Sequence, residues 1–448
     1  MDYSLFDRYV LNVSFRTDGS NNFGSDEQFN PTWSAGAVWH VSEETFMEVV
    51  RPVLSRLSLR VATGYTGNIN KTVKPNLMMK YYKNFRISDD ENYRMGYINN
   101  APNPKLRWEK TRDVKVALDF GLWKDRINGI VEAYWRKSKD CVTSEYVPVT
   151  TGFFNQSYNT SVLQNNGVEF SLSVAVLKSK DYNLSVSANV AWNQNKLKKY
   201  NSPNTSLALD KYVGYPMGAV FSGKYEGIDP ETGMYKFKLR PDAVTNKDGY
   251  LREPNNYYYY LGTSVAPFTG GFNLNFSYKN IGLSVGGSYS VKAKMVDNIE
   301  SPAGYELLSG SKLESIPTPH NDLYRNHLNV KREVRNRWTP ENRTGVKYPR
   351  LIDAYGKKLG LDLTNPTLTT ITRGALLEDI SYLRINTIAL SYSLPQRVLE
   401  RINFSSAALN LTLNNFFTIT KYSGIDPEVP GATYPVSRSV TIGLNVGF

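Results

Sequence analysis

The feature that most constrains this chain is a two-residue alternation of apolar and polar side chains that recurs from one end to the other. In "YNLSVSANVAWN", Tyr182, Leu184, Val186, Ala188, Val190 and Trp192 are interleaved with Asn183, Ser185, Ser187, Asn189 and Asn193. Successive residues of a strand point to opposite faces, so such a segment has one apolar face and one polar face. Tyr9, Leu11, Val13 and Phe15 alternate in the same way with Asn12, Ser14 and Arg16, and Val114, Val116, Leu118, Phe120 and Leu122 with Asp113, Lys115, Asp119 and Gly121. "GVEFSLSVAV", "GGFNLNFSY", "IGLSVGGSY" and "ALNLTLNNF" repeat the pattern, as does the final "SVTIGLNVGF". An apolar face of this kind meets either the core of a soluble sandwich or the lipid around a membrane barrel.

The connections favour the barrel. Short ones, "WKDR", "KSKD", "KN" and "PQRVLERIN", alternate with long ones near 66–107, 145–161, 196–266, 293–376 and 418–435. Outer-membrane barrels have short turns on the periplasmic side and longer loops outside. A sandwich has to accommodate loops of ~80 residues beside two-residue turns, which compact domains seldom do. About 12 strands fit the pattern: 8–16, 33–40, 55–65, 108–122, 125–143, 163–177, 182–195, 267–278, 281–292, 378–393, 405–417 and 436–448. The even count places both termini on the periplasmic side. On this reading Phe170, Leu172, Leu184, Val186, Phe276 and Leu444 face lipid, and Asp113 and Glu169 belong to a charged lumen wall. Trp33, Trp108, Trp135 and Trp192 fall towards the outer strand ends and Trp39 and Trp123 towards the inner ones, as interfacial aromatic girdles require.

Local details follow. In 378–393, Leu383 and Ile385 are in one phase and Ile388, Leu390 and Tyr392 in the other, so a bulge near Asn386 or Thr387 is expected. "SEETFMEVVRPVL" suits a short helix capped by Ser42. "DGSNNFG" suits a loop with Gly19 or Gly24 at positive φ.

Composition agrees with strands and turns. Tyr (31) outnumbers Phe (19), and Gly (32) and Pro (22) are frequent. A mean hydropathy of −0.42, with no uncharged apolar run near ~18 residues, excludes helical membrane spans but not barrel strands. The net charge of +12 comes from basic residues scattered along the chain, so nucleic-acid binding is not expected. The single Cys141 excludes an internal disulfide framework and a cysteine zinc site. No signal-peptide pattern follows Met1.

Catalytic order is absent from the sequence, and neither enzyme activity nor a cofactor is expected. His320 and His327, with Asp322 between them, match no metal-ligand spacing. "GIDPETGMYKF" and "NKDGY" carry residues that could ligate calcium but are turn chemistry first. "NNYYYYLG" presents Tyr257, Tyr258, Tyr259 and Tyr260 for contact with sugar rings or a partner, or for packing within its own loop.

"RYVLNVSFRTDGSNNFG" followed by "WSAGAVWHVSEETFM" resembles the SusC/RagA-type TonB-dependent outer-membrane transporters. "NPKLRWEKTRDVKVALDFGLWKDRINGIVEAYWRKSKDCV", "NNGVEFSLS", "PFTGGFNLNFSYKN" and "YLRINTIALSYSLPQRVL" continue the resemblance in the family's order. It implies that residues 1–448 are the carboxyl-terminal part of a barrel of about 22 strands, with the signal sequence, plug domain and first strands outside this chain. It further implies import of oligosaccharides or other bulky nutrients, a SusD-like lipoprotein lid, energy from TonB–ExbB–ExbD acting through the plug, and Phe448 as part of the signal read during barrel assembly. The alternatives are a passive porin or surface adhesin closing by itself, and a secreted β-rich carbohydrate-binding protein.

Overall fold

The computed structural model describes residues 1–24, 27–71, 78–82, 95–153, 155–200, 212–231, 233, 235–243, 256–296, 335–346, 373–430 and 434–448. The strands in chain order are β1 (Asp2–Leu5), β2 (Tyr9–Gly19), β3 (Phe29–His40), β4 (Leu54–Asn68), β5 (Met78–Tyr82), β6 (Met95–Asn100), β7 (Glu109–Leu122), β8 (Ile127–Tyr146), β9 (Asn155–Lys178) and β10 (Tyr182–Lys199). They continue as β11 (Ala219–Ile228), β12 (Tyr235–Lys238), β13 (Tyr258–Thr263), β14 (Phe268–Tyr278), β15 (Ile281–Val291), β16 (Lys294–Val296), β17 (Leu377–Asp379), β18 (Tyr382–Ser393), β19 (Ser406–Thr420) and β20 (Ser439–Gly447). Among the described residues one short α-helix, α1 (Gln396–Arg401), lies in the turn between β18 and β19.

Thirteen strands form one sheet in the order β1-β2-β3-β4-β7-β8-β9-β10-β14-β15-β18-β19-β20, and each pairs antiparallel with its neighbours. The remaining strands lie in the long connections, as a three-stranded sheet β12-β11-β13 and the pairs β16-β17 and β5-β6. β1 and β20 form the two edges of the large sheet, which is not closed.

All twelve expected strands are present, and the count is one short. β1 was overlooked because "DYSL" is only four residues and the chain reverses directly after it, through Phe6 and Asp7 at φ 53° each. The even count therefore gives way to a sheet of thirteen: Phe448 stays at the end of the tight turns, beside Phe404, whereas Met1 bonds to the Val13 carbonyl partway along β2. The expected loop 145–161 is mostly strand. β8 runs on to Tyr146 and β9 begins at Asn155, so their hairpin extends well past the alternating segment. At ~3.3 Å per residue β9 is ~80 Å long, far more than the 9–11 residues that cross a bilayer.

The turns at one end are tight and strained. Trp123, Lys124 and Asp125 take φ of 50°, 58° and 60°, and Lys279 takes 49° where Tyr278 and Ile281 close a two-residue hairpin. Such left-handed positions let strands reverse without splaying. "SEETFMEVVRPVL" forms two 3-10 turns, Val41–Glu43 and Thr45–Met47, rather than an α-helix. Ser42 lies buried inside the first turn and does not cap it, while its carbonyl accepts from Arg51 Nε at 3.0 Å. Neither Gly19 nor Gly24 has positive φ. Gly24 serves close approach instead, since a Cβ there would stand 1.6 Å from the Pro104 carbonyl oxygen.

The expected bulge falls at Asn386. Ile385 and Thr387 pair with consecutive Gly287 and Gly286 of β15, leaving Asn386 as the extra residue. On the other side Ile385 and Thr387 pair with Phe417 and Asn414, so β19 inserts Asn415 and Phe416, with Asn415 at φ 60°. One extra residue inverts facing in β18, whereas two restore it in β19. Leu383 and Ile388 thus share a face despite opposite parity.

Candidate functional site

Strand register decides which side chains share a face, because directly paired residues point the same way. Phe170 pairs with Val190 and Leu172 with Ala188, while Leu184 pairs with Phe276 and Val186 with Leu274. Phe276 pairs onward with Leu283, Leu283 with Leu390, Leu390 with Leu411 and Leu411 with Ile442, two residues from Leu444. In the other direction Phe170 pairs with Val131, Val131 with Leu118, Leu118 with Leu59, Leu59 with Trp39 and Trp39 with Tyr9. All six residues expected to face lipid therefore share one apolar face that runs unbroken across the sheet.

Aromatic side chains border that face at both ends. Towards the tight turns are Tyr9, Trp39, Tyr182, Tyr278 and Tyr392, with Tyr9 stacked on Trp39 and Tyr182 on Tyr278, both at 6.5 Å between centroids. Glu44 anchors this border. It accepts from Tyr9 Oη at 2.6 Å, Trp39 Nε1 at 3.0 Å and Arg8 Nη1 at 3.2 Å. The Tyr9 hydroxyl, then the Trp39 indole, hold its carboxyl below the usual value. Phe15, Trp33, Tyr65, Trp135 and Trp192 form the opposite border. From Tyr182 to Trp192 is about 34 Å along the strand, or ~26 Å across the membrane at a tilt near 40°. Trp108 is not part of the border. It is 5% exposed, stacks on Phe23 at 4.7 Å beside Leu106, and donates to the Gln28 carbonyl at 3.1 Å.

The opposite face is polar. Arg60 grips Asp119 at 2.6 and 3.1 Å, Lys115 reaches Glu132 at 3.0 Å, and Arg136 reaches Asp113 at 2.6 Å. Glu169 pairs with Glu132 across β8 and β9 on the same face. Asp113 and Glu169 thus sit on the charged wall expected of them. On the apolar face, Phe120 lies over Gly129 and Phe272 over Gly287, each within 2.4 Å of where a Cβ would stand, so these glycines leave room for aromatic rings.

The tyrosine run is divided by its own strand. Tyr258, Tyr259 and Tyr260 pair with Gly223, Ser222 and Phe221, so neighbours alternate in direction. Tyr260 packs on Tyr215 at 4.9 Å and Phe221 at 5.7 Å, and Tyr259 donates to the Leu239 carbonyl at 2.9 Å. Burial pushes the phenols of Tyr257 and Tyr260 up in pKa. Packing within the loop accounts for much of the run, and Tyr260 remains 41% exposed. It lines a 310 Å³ cleft between β10 and the small sheet, with Trp192, Asn195 and Tyr215.

One constellation was missed from sequence. Arg384, on the polar face of β18, is buried with Asp426 of the β19–β20 connection, their side chains 3% and 6% exposed. Arg384 Nη2 donates to Asp426 Oδ1, and Nη1 lies 2.9 Å from Glu428 Oε2. Asp426 also accepts from the Glu428 and Val436 amides at 2.9 and 3.1 Å. Burial raises its pKa, and these donors together outweigh burial, leaving the carboxyl below its ordinary value. The available signal was an arginine held between Leu383 and Ile385 in an otherwise uncharged strand.

His320, Asp322, His327 and "NKDGY" lie outside the described residues. In "GIDPETGMYKF", Asp229 accepts the Glu231 amide at 2.8 Å in a turn. Among the described residues no three His, Cys, Asp or Glu side chains gather as metal ligands.

A two-faced antiparallel sheet of thirteen strands, bordered by aromatic rings and linked by tight turns at one end and long loops at the other, defines the wall of a transmembrane β-barrel. The chain belongs to the TonB-dependent receptor-like β-barrel family, whose profile matches residues 1–306. It is 27% identical to the TonB-dependent receptor SusC of Bacteroides thetaiotaomicron, over 100% of the chain and 43% of that protein. It is 26% identical to the TonB-dependent receptor P26 of Formosa agariphila, over 100% of the chain and 45% of that protein. The RagAB peptide transporter structure superposes with a TM-score of 0.78 at 26% identity, covering 100% of this chain and 47% of that one. The chain thus spans less than half the length of these relatives.

Proposed function

We propose that residues 1–448 form the carboxyl-terminal wall of a TonB-dependent importer in the bacterial outer membrane. The observation that carries this reading is the apolar face, continuous in register from Tyr9 to Leu444, set against a face of hydroxyls, amides and closed ion pairs. In lipid every backbone group must find a partner, so β1 and β20 need further strands to complete a barrel. A barrel of about 22 strands with a plug inside supplies both the closure and the TonB–ExbB–ExbD coupling.

The cargo on this reading is an oligosaccharide or another bulky nutrient. The similar RagAB structure is that of a peptide transporter, and a peptide is a bulky cargo, which supports this reading. A SusD-like lipoprotein lid covers the long external loops, with Tyr257 to Tyr260 at the edge of its footprint, and Phe448 contributes to the assembly signal. Phe448 is exposed and makes an edge contact with Phe404 at 5.1 Å. The test is uptake by cells carrying the full-length transporter. Uptake should require both the transporter and TonB, whereas uptake that persists without TonB would favour a passive pore.

A further inference from the structure

The polar face divides into two halves of different chemistry. From β4 to β9 it carries charge, with Arg60–Asp119, Lys115–Glu132 and Arg136–Asp113 as ion pairs and Glu169 beside Glu132. In the six wall strands β10, β14, β15, β18, β19 and β20, between the two aromatic borders, the alternate positions on this face hold Ser, Thr, Asn, Gly, Ala and Tyr, with Arg384 the single charged residue. Lys196, Lys198 and Lys199 of β10 lie beyond the border at Trp192. Arg384 is already committed to Asp426 and Glu428. The uncharged half is linked across strands by amide and hydroxyl hydrogen bonds. Thr387 donates to Asn414 at 3.1 Å, Asn414 to Ser439 at 3.0 Å, and Ser284 to Asn275 at 2.8 Å.

Two clefts open along this half. One of 420 Å³ is lined by Ser187, Asn189, Gly271 and Asn273 of this half and by Ser171 and Ser173 of the adjoining β9, and its rim reaches Arg56, which is engaged by Asn128 at 3.0 Å. One of 430 Å³ is lined by Ser185, Asn275, Ser284, Asn410 and Thr412. Hydroxyls and amides hold both donors and acceptors, so they can exchange partners with a passing solute without a fixed polarity. A pore that selects ions presents unpaired charge of the opposite sign. This half presents none, and a charged solute leaving water along it finds nothing to offset its lost hydration.

We propose that the imported solute travels along the β10–β20 half of the polar face, and that it is an electrically neutral molecule rich in hydroxyl or amide groups. The proposal rests on the importer reading above and assigns a path and a charge to its cargo. The paired charges of β4 to β9 brace the wall and stay outside the path.

The test uses cells carrying the full-length transporter and its lid. The probes are a neutral oligosaccharide and a uronate oligosaccharide of equal length, and a neutral and a polyacidic peptide of equal length. Uptake of a neutral probe and exclusion of its charged counterpart is the expected result. The near-isosteric substitutions Asn273→Asp and Asn275→Asp, combined with the larger Ser284→Asp, should lower uptake by about tenfold or more, while Lys115→Gln with Glu132→Gln should leave it unchanged. Should the triple variant fail to show normal surface amount and heat-modifiability, Ser284→Cys in a Cys141→Ser background provides a second reading. A saturating imported probe should slow its labelling by a small thiol reagent, and should not slow labelling of Ala62→Cys. Equal uptake of charged and neutral probes overturns the inference, as does undiminished uptake by the folded triple variant or labelling of Ser284→Cys that ignores the probe. Failure of the wild-type transporter to import any probe overturns the importer reading itself.

Discussion

At the scale of single residues, the Arg384–Asp426 pair shows how one buried contact fastens a loop to a wall. Removing one partner of a buried pair leaves an uncompensated charge, so Arg384→Ala should cost about 3–5 kcal/mol locally. Its expression is earlier proteolysis of the β19–β20 connection while the sheet stays folded. The pH dependence follows from the depressed Asp426 carboxyl. A group whose folded pKa lies below its unfolded value stabilises the fold above the unfolded value, near 3.9, and loses that contribution as pH falls through the folded value. The loop should therefore stay fastened through neutral and mildly acidic pH and loosen only below about pH 4, which limited proteolysis across that range checks. The sequence could not disclose this pair, because 42 residues separate its members and neither alternation nor spacing relates them. Gly24 was obscured for a similar reason. Its neighbour in space is Pro104, and only the folded backbone shows that glycine is there for proximity.

At the scale of elements, alternation located strands reliably wherever one face is apolar, because that periodicity is the physical cause of the sheet's two faces. It failed where that cause is absent. β1 is too short for a pattern to develop, and the outer parts of β8 and β9 bury polar residues such as Glu145 and Ser161, so no alternating apolar face marks them. The turn after β3 read as a helix capped by Ser42, yet it is held by Arg51 of the same connection on the Ser42 carbonyl and by Arg8, Tyr9 and Trp39 on Glu44. The bulge at Asn386 was legible because a parity change within one strand has no other economical explanation. Deleting Asn386 should move either Leu383 and Ile385 or Ile388, Leu390 and Tyr392 onto the polar face. Assembly of the full-length barrel should fall sharply, whereas Asn386→Ser should assemble normally. The measurement is the fraction of heat-modifiable protein in outer membranes, and normal assembly of the deletion would contradict the register.

At the scale of the whole molecule, thirteen strands build a wall whose two faces differ along its entire width, and the long loops gather at one end of it. The small sheet β12-β11-β13, with Tyr215, Phe221 and Tyr260 packed together, gives the loop between β10 and β14 a core of its own. Trp338 joins the Pro230 turn through a 3.0 Å hydrogen bond, tying two distant loops together. Deleting 300–345 from the full-length transporter should abolish co-purification of the lid while the barrel still assembles, and undiminished lid recovery would count against these loops as its docking surface. The central claim concerns the two faces. Val186 and Ser187 are neighbours in β10, the first paired with Leu274 on the apolar face and the second with Asn273 on the polar one. An arginine at Val186 should cost roughly 2–4 kcal/mol if that face meets the middle of a bilayer, and little at Ser187. The most direct measurement places spin labels at the two positions of the full-length transporter in lipid and compares a lipid-soluble with a water-soluble quencher. The label at 186 should respond to the lipid-soluble quencher and the label at 187 to the water-soluble one; equal response at both positions would contradict the account.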